Sequence, residues 1–278
     1  MDKQFLAPAE IVDAAIKAGK TKAERKFIPM LILAILAGAF IAFGAEASNM
    51  AAFNLLKNPE TFGLGRTLAG TIFPVGLMLV VLSGAELFTG NTLISITVYE
   101  KKTSIGLMLK NWAVVYVGNF IGSILIVLMV AKTGLLNSGG MDLGMMTVKI
   151  ALGKVNLSFW GALLSGIMCN WLVCLGVWLA FAANSVQGKI LGIFFPIWLF
   201  VTSGFEHSVA NMYYIPAGIL AKAQYGELLG VAQSELDALN WGNFITANLI
   251  PVTIGNIIGG ILFVAAAYWF ALHKKPAK

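Results

Sequence analysis

The chain has 278 residues, 58% of them hydrophobic and 12% charged, with a formal net charge of +6. Soluble domains carry about 25% charged residues, so this composition excludes an ordinary aqueous globule and points to lipid. The basic residues flank apolar runs instead of forming a stripe, which argues against a nucleic-acid partner.

The first 26 residues are polar and lack the apolar core and small-residue cleavage site of a signal peptide. Residues 8–26 set Ile11, Ala14, Ala15 and Ala18 at helical spacing, which predicts an amphipathic cytoplasmic helix lying at the membrane surface. Long uncharged runs follow, and a spanning helix needs about 20 such residues. They predict six spans, at 27–47, 67–98, 107–131, 158–183, 188–221 and 245–272. The second and fifth are too long and too interrupted for one plain helix. The expected order is an N-terminal helix (1–26), a first membrane unit (27–132), an extracytoplasmic loop (133–157), a second membrane unit (158–272) and a cytoplasmic tail (273–278). Cys169 and Cys174 share one apolar span and read as packing residues, not as a disulfide. Thirteen Lys and Arg residues fall on the side of the two termini, six of them in the first 26 residues, against six on the other side. Such an excess marks the cytoplasmic face, so both termini are expected in the cytoplasm and the protein in the cell membrane.

The chain repeats itself. "SGAELFTGN" at 83–91 matches "SGFEHSVAN" at 203–211, and "GNFIGSIL" at 118–125 matches "GNIIGGIL" at 255–262. A weaker match pairs "LAGAF" at 36–40 with "LSGIM" at 164–168. Spans one to three thus correspond in order to spans four to six. Three is odd, so the second copy is expected to enter the membrane from the opposite side, and inverted repeats place a pathway near the midplane. Gly118/Gly122 and Gly255/Gly259 alone are explained by close helix packing. The paired Ser-Gly-x-Glu strings are not.

Each of those strings puts a glycine before a buried acid. Glycine lets the backbone leave helical geometry, and irregular backbone at membrane depth must be enclosed by protein or line a wet cavity. Glu86 and Glu206, with Asn91 and Asn211, are therefore expected to support the breaks. His207 stands where the first copy has Leu87, and an ionisable residue inside a membrane is a functional candidate. We read it as pore-lining, with Thr89 facing it across the path. Lys154 either concentrates anions at a vestibule or snorkels at the end of the fourth span.

At these residues the sequence resembles the formate/nitrite transporter family. "VLSGAELFTG" at 81–90, "GIMCNWLVC" at 166–174, "SGFEHSVANM" at 203–212 and "NLIPVTIGNIIGG" at 248–260 carry the resemblance, in order, over nearly the whole chain. It implies an aquaporin-like bundle of six spans, assembled as a homopentamer with one pore per protomer. It also implies a channel for small monovalent anions or their conjugate acids: formate first, with hydrosulfide and nitrite close behind. The resemblance makes His207 the central histidine, Thr89 its partner, Lys154 the vestibule lysine and Asn170 the asparagine of the fourth span. Phe73, Leu77, Leu87, Phe88 and Phe200 become the apolar constrictions. No cofactor or metal is called for.

Two rival readings are weaker. A water or glycerol channel carries an Asn-Pro-Ala string in each repeat, whereas the one Asn-Pro here is "NPE" at 58–60. An intramembrane enzyme would have to use Glu206 and His207, which as neighbours on a helix point about 100° apart.

Overall fold

A computed structural model describes residues 3–273. The expected C-terminal tail lies outside the described residues apart from His273. Helices dominate, and the one isolated bridge among the described residues is antiparallel, between Phe5 and Ala183. Six helical stretches are long and apolar enough to cross a membrane: Phe27–Lys57, Pro59–Ser83, Ile105–Lys132, Phe159–Ala182, Val186–Ser203 and Trp241–Leu272.

Local chemistry sets the helix ends. Helix α1 (Pro8–Ala23) starts on a proline in its first turn, where the missing N–H is no loss. Helix α2 (Phe27–Lys57) stops at Asn58, before Pro59. The first interrupted span contains α3 (Phe62–Ile72), α4 (Val75–Ser83), α5 (Phe88–Asn91) and, after a 3₁₀ turn, α6 (Ser95–Tyr99). Serine side chains cap the next three long helices: Ser104 opens α7 (Ile105–Lys132), and α8 (Asp142–Val155) intervenes before Ser158 opens α9 (Phe159–Ala182). Ser185 opens α10 (Val186–Ser203), and after the second break α11 (Ser208–Tyr225) continues the fifth span. The short helix α12 (Gln233–Ala238) precedes the last span, in which α13 (Trp241–Asn243), α14 (Ile250–Gly260) and α15 (Ala267–Leu272) are joined in turn by π-helical stretches at Phe244–Leu249 and Ile261–Ala266.

The elements differ from the sequence reading in one place. The loop expected over 133–157 holds the 14-residue helix α8. Its apolar residues Leu143, Met146, Val148, Ala151 and Leu152 are buried, largely against α11. Helix α1 packs its apolar face onto the spans. It buries Ile11, Val12, Ala15 and Gly19 against residues 92–99, α9 and α15.

Two glycine-mediated contacts hold the spans together. A Cβ on Gly122 of α7 would sit 1.9 Å from the Ile35 carbonyl oxygen of α2. One on Gly259 of α14 would sit 2.3 Å from that of Ile167 in α9. Small residues of this kind let membrane helices approach closely. Gly122→Val and Gly259→Val are each expected to cost about 1–3 kcal/mol or more, read as a lower thermal midpoint in detergent. Gly63→Ala, with nothing within 4 Å of its added carbon, leaves the midpoint unchanged.

Candidate functional site: two helix breaks around a buried histidine

Helices α4 and α10 end in the same way. Gly84 and Gly204 adopt φ of +79° and +82°, the left-handed region that glycine enters freely. The next N–H turns back onto the helix, Ala85 to the Val80 carbonyl at 2.9 Å and Phe205 to the Phe200 carbonyl at 3.0 Å. This closing pattern satisfies carbonyls that a helix end would otherwise leave bare. The chain then re-enters helical structure at Phe88 and at Ser208.

Matching sets of side chains brace the two breaks. At the first, Asn119 of α7 accepts from the Phe88 N–H at 2.9 Å and donates to the Ala34 and Glu86 carbonyls at 2.7 and 2.9 Å. At the second, Asn256 of α14 accepts from the Ser208 N–H at 2.9 Å and donates to the Gly166 and Glu206 carbonyls at 2.8 and 3.0 Å. Asn91 donates to Glu86 and to Asn111, at 2.6 and 2.9 Å. Asn211 donates to Glu206 and to Asn248, at 2.6 and 2.7 Å. Even the cations correspond. Lys22 Nζ lies 3.0 Å from Glu86, and Asn111 bonds the Lys22 carbonyl. Lys154 Nζ lies 2.7 Å from Glu206, and Asn248 bonds the Lys154 carbonyl. Both glutamates are thus paired with lysines as well as bonded to the asparagines predicted beside them.

His207 caps α11: its Nδ1 accepts from the Ala210 N–H at 3.0 Å. Its Nε2 lies 2.8 Å from Thr89 Oγ1, so the two residues meet across the breaks. The chemistry fixes the tautomer. A neutral imidazole has one donor and one acceptor nitrogen, and with Nδ1 accepting, Nε2 carries the hydrogen and donates to Thr89. A second proton on Nδ1 would face the Ala210 N–H and break the cap. His207 and Thr89 are only 2% and 0% exposed.

Two cavities flank this joint and share no lining residue. The larger, about 620 Å³, is lined by His207, Phe73, Phe200, Lys154, Glu206 and Arg66, among others. The smaller, about 180 Å³, is lined by Leu77, Leu87, Gly90, Glu86, Asn91, Lys22 and Arg25, with α1 forming one wall. Phe73 and Phe200 meet edge to face, ring centres 5.6 Å apart, and Phe200 lies 6.0 Å from the His207 ring. The predicted residues therefore sort themselves. His207 and Thr89 meet at the joint, Phe73 and Phe200 stand on one side of it, and Leu77 and Leu87 stand on the other. Phe88 lines neither cavity, because its ring packs edge to face with Trp112 and Tyr116. Asn170 lines neither as well; its amide donates to the carbonyls of Thr89 and Asn256 at 3.1 and 2.6 Å. That places it as a brace behind the threonine.

Sequence reasoning missed Asn119, Asn256, Asn111, Asn248, Lys22, Arg25 and Arg66. Asn119 and Asn256 stand at matching positions inside the repeated "GN-x-I-G" strings, next to the glycines that drew attention. Asn111 and Asn248 each precede them by eight residues, about two helical turns on the same face.

A profile of the formate/nitrite transporter family matches residues 9–270. The chain is similar to a probable formate transporter of Methanothermobacter thermautotrophicus, 39% identical over 99% of this chain and 100% of that protein. It is similar to the formate channel FocA of Escherichia coli (strain K12), 38% identical over 95% of this chain and 94% of that protein. Among solved structures, a pentameric formate channel with formate bound matches with a TM-score of 0.78 at 36% identity, covering 88% of this chain and 96% of that one. These relatives are channels and transporters, not enzymes.

Proposed function

The chain belongs to the formate/nitrite transporter family, and from that premise we propose that it conducts small monovalent anions of weak acids, formate foremost, through a path crossing the His207–Thr89 joint. One observation carries this reading: a buried imidazole, held at Nδ1 by the Ala210 N–H and at Nε2 by Thr89, stands between two separate, cation-bearing cavities. Nitrite and hydrosulfide share formate's charge and weak-acid chemistry and are the next cargoes to consider. The two matched triplets of spans are read as inverted copies, and the assembly as a homopentamer like the solved formate channel, with both termini cytoplasmic.

The steps follow from the walls. Positive charge on the cavity walls draws the anion in, an effect that salt weakens. Phe73, Phe200, Leu77 and Leu87 then resist water and bare charge. Stripping an anion of its hydration costs several kcal/mol or more, whereas the neutral acid loses far less. A weak acid entering a low-dielectric passage is driven toward its protonated form. We assign that proton to the bulk solution, delivered as hydronium through cavity water, because the Nδ1 cap disfavours a second proton on the His207 ring. The Nε2–H, its proton kept on the ring, then turns its hydrogen bond from Thr89 to the crossing species and back.

Proteoliposome swelling tests the reading. Vesicles holding the protein are expected to take up formate, nitrite and hydrosulfide salts faster than empty vesicles, and to exclude sulfate and glycerol. Glycerol entry without formate entry returns the protein to the water-channel reading, and no uptake at all refutes the pathway.

A further inference from the structure

The lysines at both cavities have a buried carboxylate beside them, so they contribute little net charge to a passing anion. Lys154 is held by Glu206 at 2.7 Å and Lys22 by Glu86 at 3.0 Å. Each pair sums to nothing. We infer that Arg25 and Arg66 supply the surplus positive charge, one at each cavity, and so set the affinity for anions at the two ends of the path. This deepens the anion-pathway reading and rests on it.

Arg66 of α3 is half-buried in the wall of the larger cavity. Its Nε donates to the Thr202 carbonyl at 3.2 Å, and Nη2 donates to that of Val201. Those carbonyls close the last turn of α10, the end of a helix that carries partial negative charge. Left bare, they would repel an anion approaching His207. The guanidinium covers them, and its remaining N–H groups are available to the cavity. The loop is shaped around it: a Cβ on Gly204 would come within 2.9 Å of Arg66 Nη2. Two other lysines line this cavity, but Lys57 is paired with Asp142 at 2.9 Å, and Lys149 is exposed and so screened by salt.

Arg25 reaches the smaller cavity from the link between α1 and α2. Its Nε lies 3.1 Å from Glu86 Oε1, on the carboxylate that Lys22 already holds, so two cations face one acid. The two arginines are not repeat partners. At the spacing that relates Lys22 to Lys154, Arg25 would recur at position 157, which holds Leu157. At the spacing that relates Glu86 to Glu206, Arg66 would recur at position 186, which holds Val186. The duplicated scaffold accounts for the lysines, glutamates and asparagines. Each arginine came to its cavity separately, and both leave the same one-charge excess.

The test measures initial formate influx into proteoliposomes against formate concentration, for wild type, Arg25→Gln, Arg66→Gln and Arg66→Lys, at low and high ionic strength. Each glutamine variant is expected to raise the half-saturating formate concentration about three- to tenfold at low salt, with the maximal rate near wild type. The difference shrinks at high salt, and Arg66→Lys recovers most of it. Unchanged half-saturation in both glutamine variants overturns the inference, as does a rate loss insensitive to salt or not recovered by lysine. Absence of formate influx in wild type would instead refute the pathway itself. Arg25 makes no backbone bond of the kind Arg66 makes, so Arg25→Gln carries the test alone if Arg66→Gln fails to assemble.

Discussion

Replacing His207 with asparagine is expected to slow formate flux through the reconstituted protein by about ten- to a hundredfold while the protein still folds. The fold survives because asparagine is a favoured helix cap, and its Oδ1 can take the Ala210 N–H that Nδ1 accepts at 3.0 Å. Transport suffers because the shorter side chain removes the Nε2 hydrogen that sits 2.8 Å from Thr89. A hydrogen bond to a charged or strongly polar species contributes about 1.5–3 kcal/mol, which at the crossing point converts to the stated range. Stopped-flow uptake with equal amounts of folded protein reads the effect. A rate equal to wild type would remove His207 from the path.

The second large effect concerns the braces. Asn256→Ala orphans the Ser208 N–H and the Glu206 carbonyl, and Asn119→Ala orphans the Phe88 N–H and the Glu86 carbonyl, while the Gly166 and Ala34 carbonyls keep their intrahelical bonds. Each buried polar group left unpaired costs about 1–3 kcal/mol, so each substitution, with two such groups, is expected to lose about 2–5 kcal/mol after some relaxation. Both asparagines are 0% exposed, so water offers no ready substitute. The expected reading is a large and similar fall in thermal midpoint for the two variants. A fall for one and not the other would contradict the equivalence of the two breaks.

That equivalence was partly legible in the residues alone. "SGAE" and "SGFE" located both breaks, because a glycine before a buried acid has few other uses in a membrane span. The six spans followed from hydropathy and length. Helix α8 was hidden because Asp142, Lys149 and Lys154 interrupt any uncharged window, although Leu143, Met146, Ile150 and Ala151 keep a helical face. Neighbouring positions at a break were also hard to separate. Leu87 faces the smaller cavity, whereas Phe88, one residue on, turns toward Trp112 and Tyr116. The arginines lacked any signal, since neither is repeated and both reach partners distant in sequence: Arg25 to Glu86, and Arg66 to Val201 and Thr202.

The charge state of the central ring separates two roles for it, lending a proton or donating a hydrogen bond. The bond from the Ala210 N–H to Nδ1 favours the second. The direct measurement is formate flux for wild type and His207→Asn at matched points from about pH 5 to pH 8, where a titrating histidine would change charge. Both profiles follow the supply of formic acid, so their ratio isolates the ring. A permanently neutral His207 predicts a ratio that stays flat across the range. A ratio that bends near the ordinary histidine midpoint would show the ring taking up a proton, and the fixed-donor account would fail.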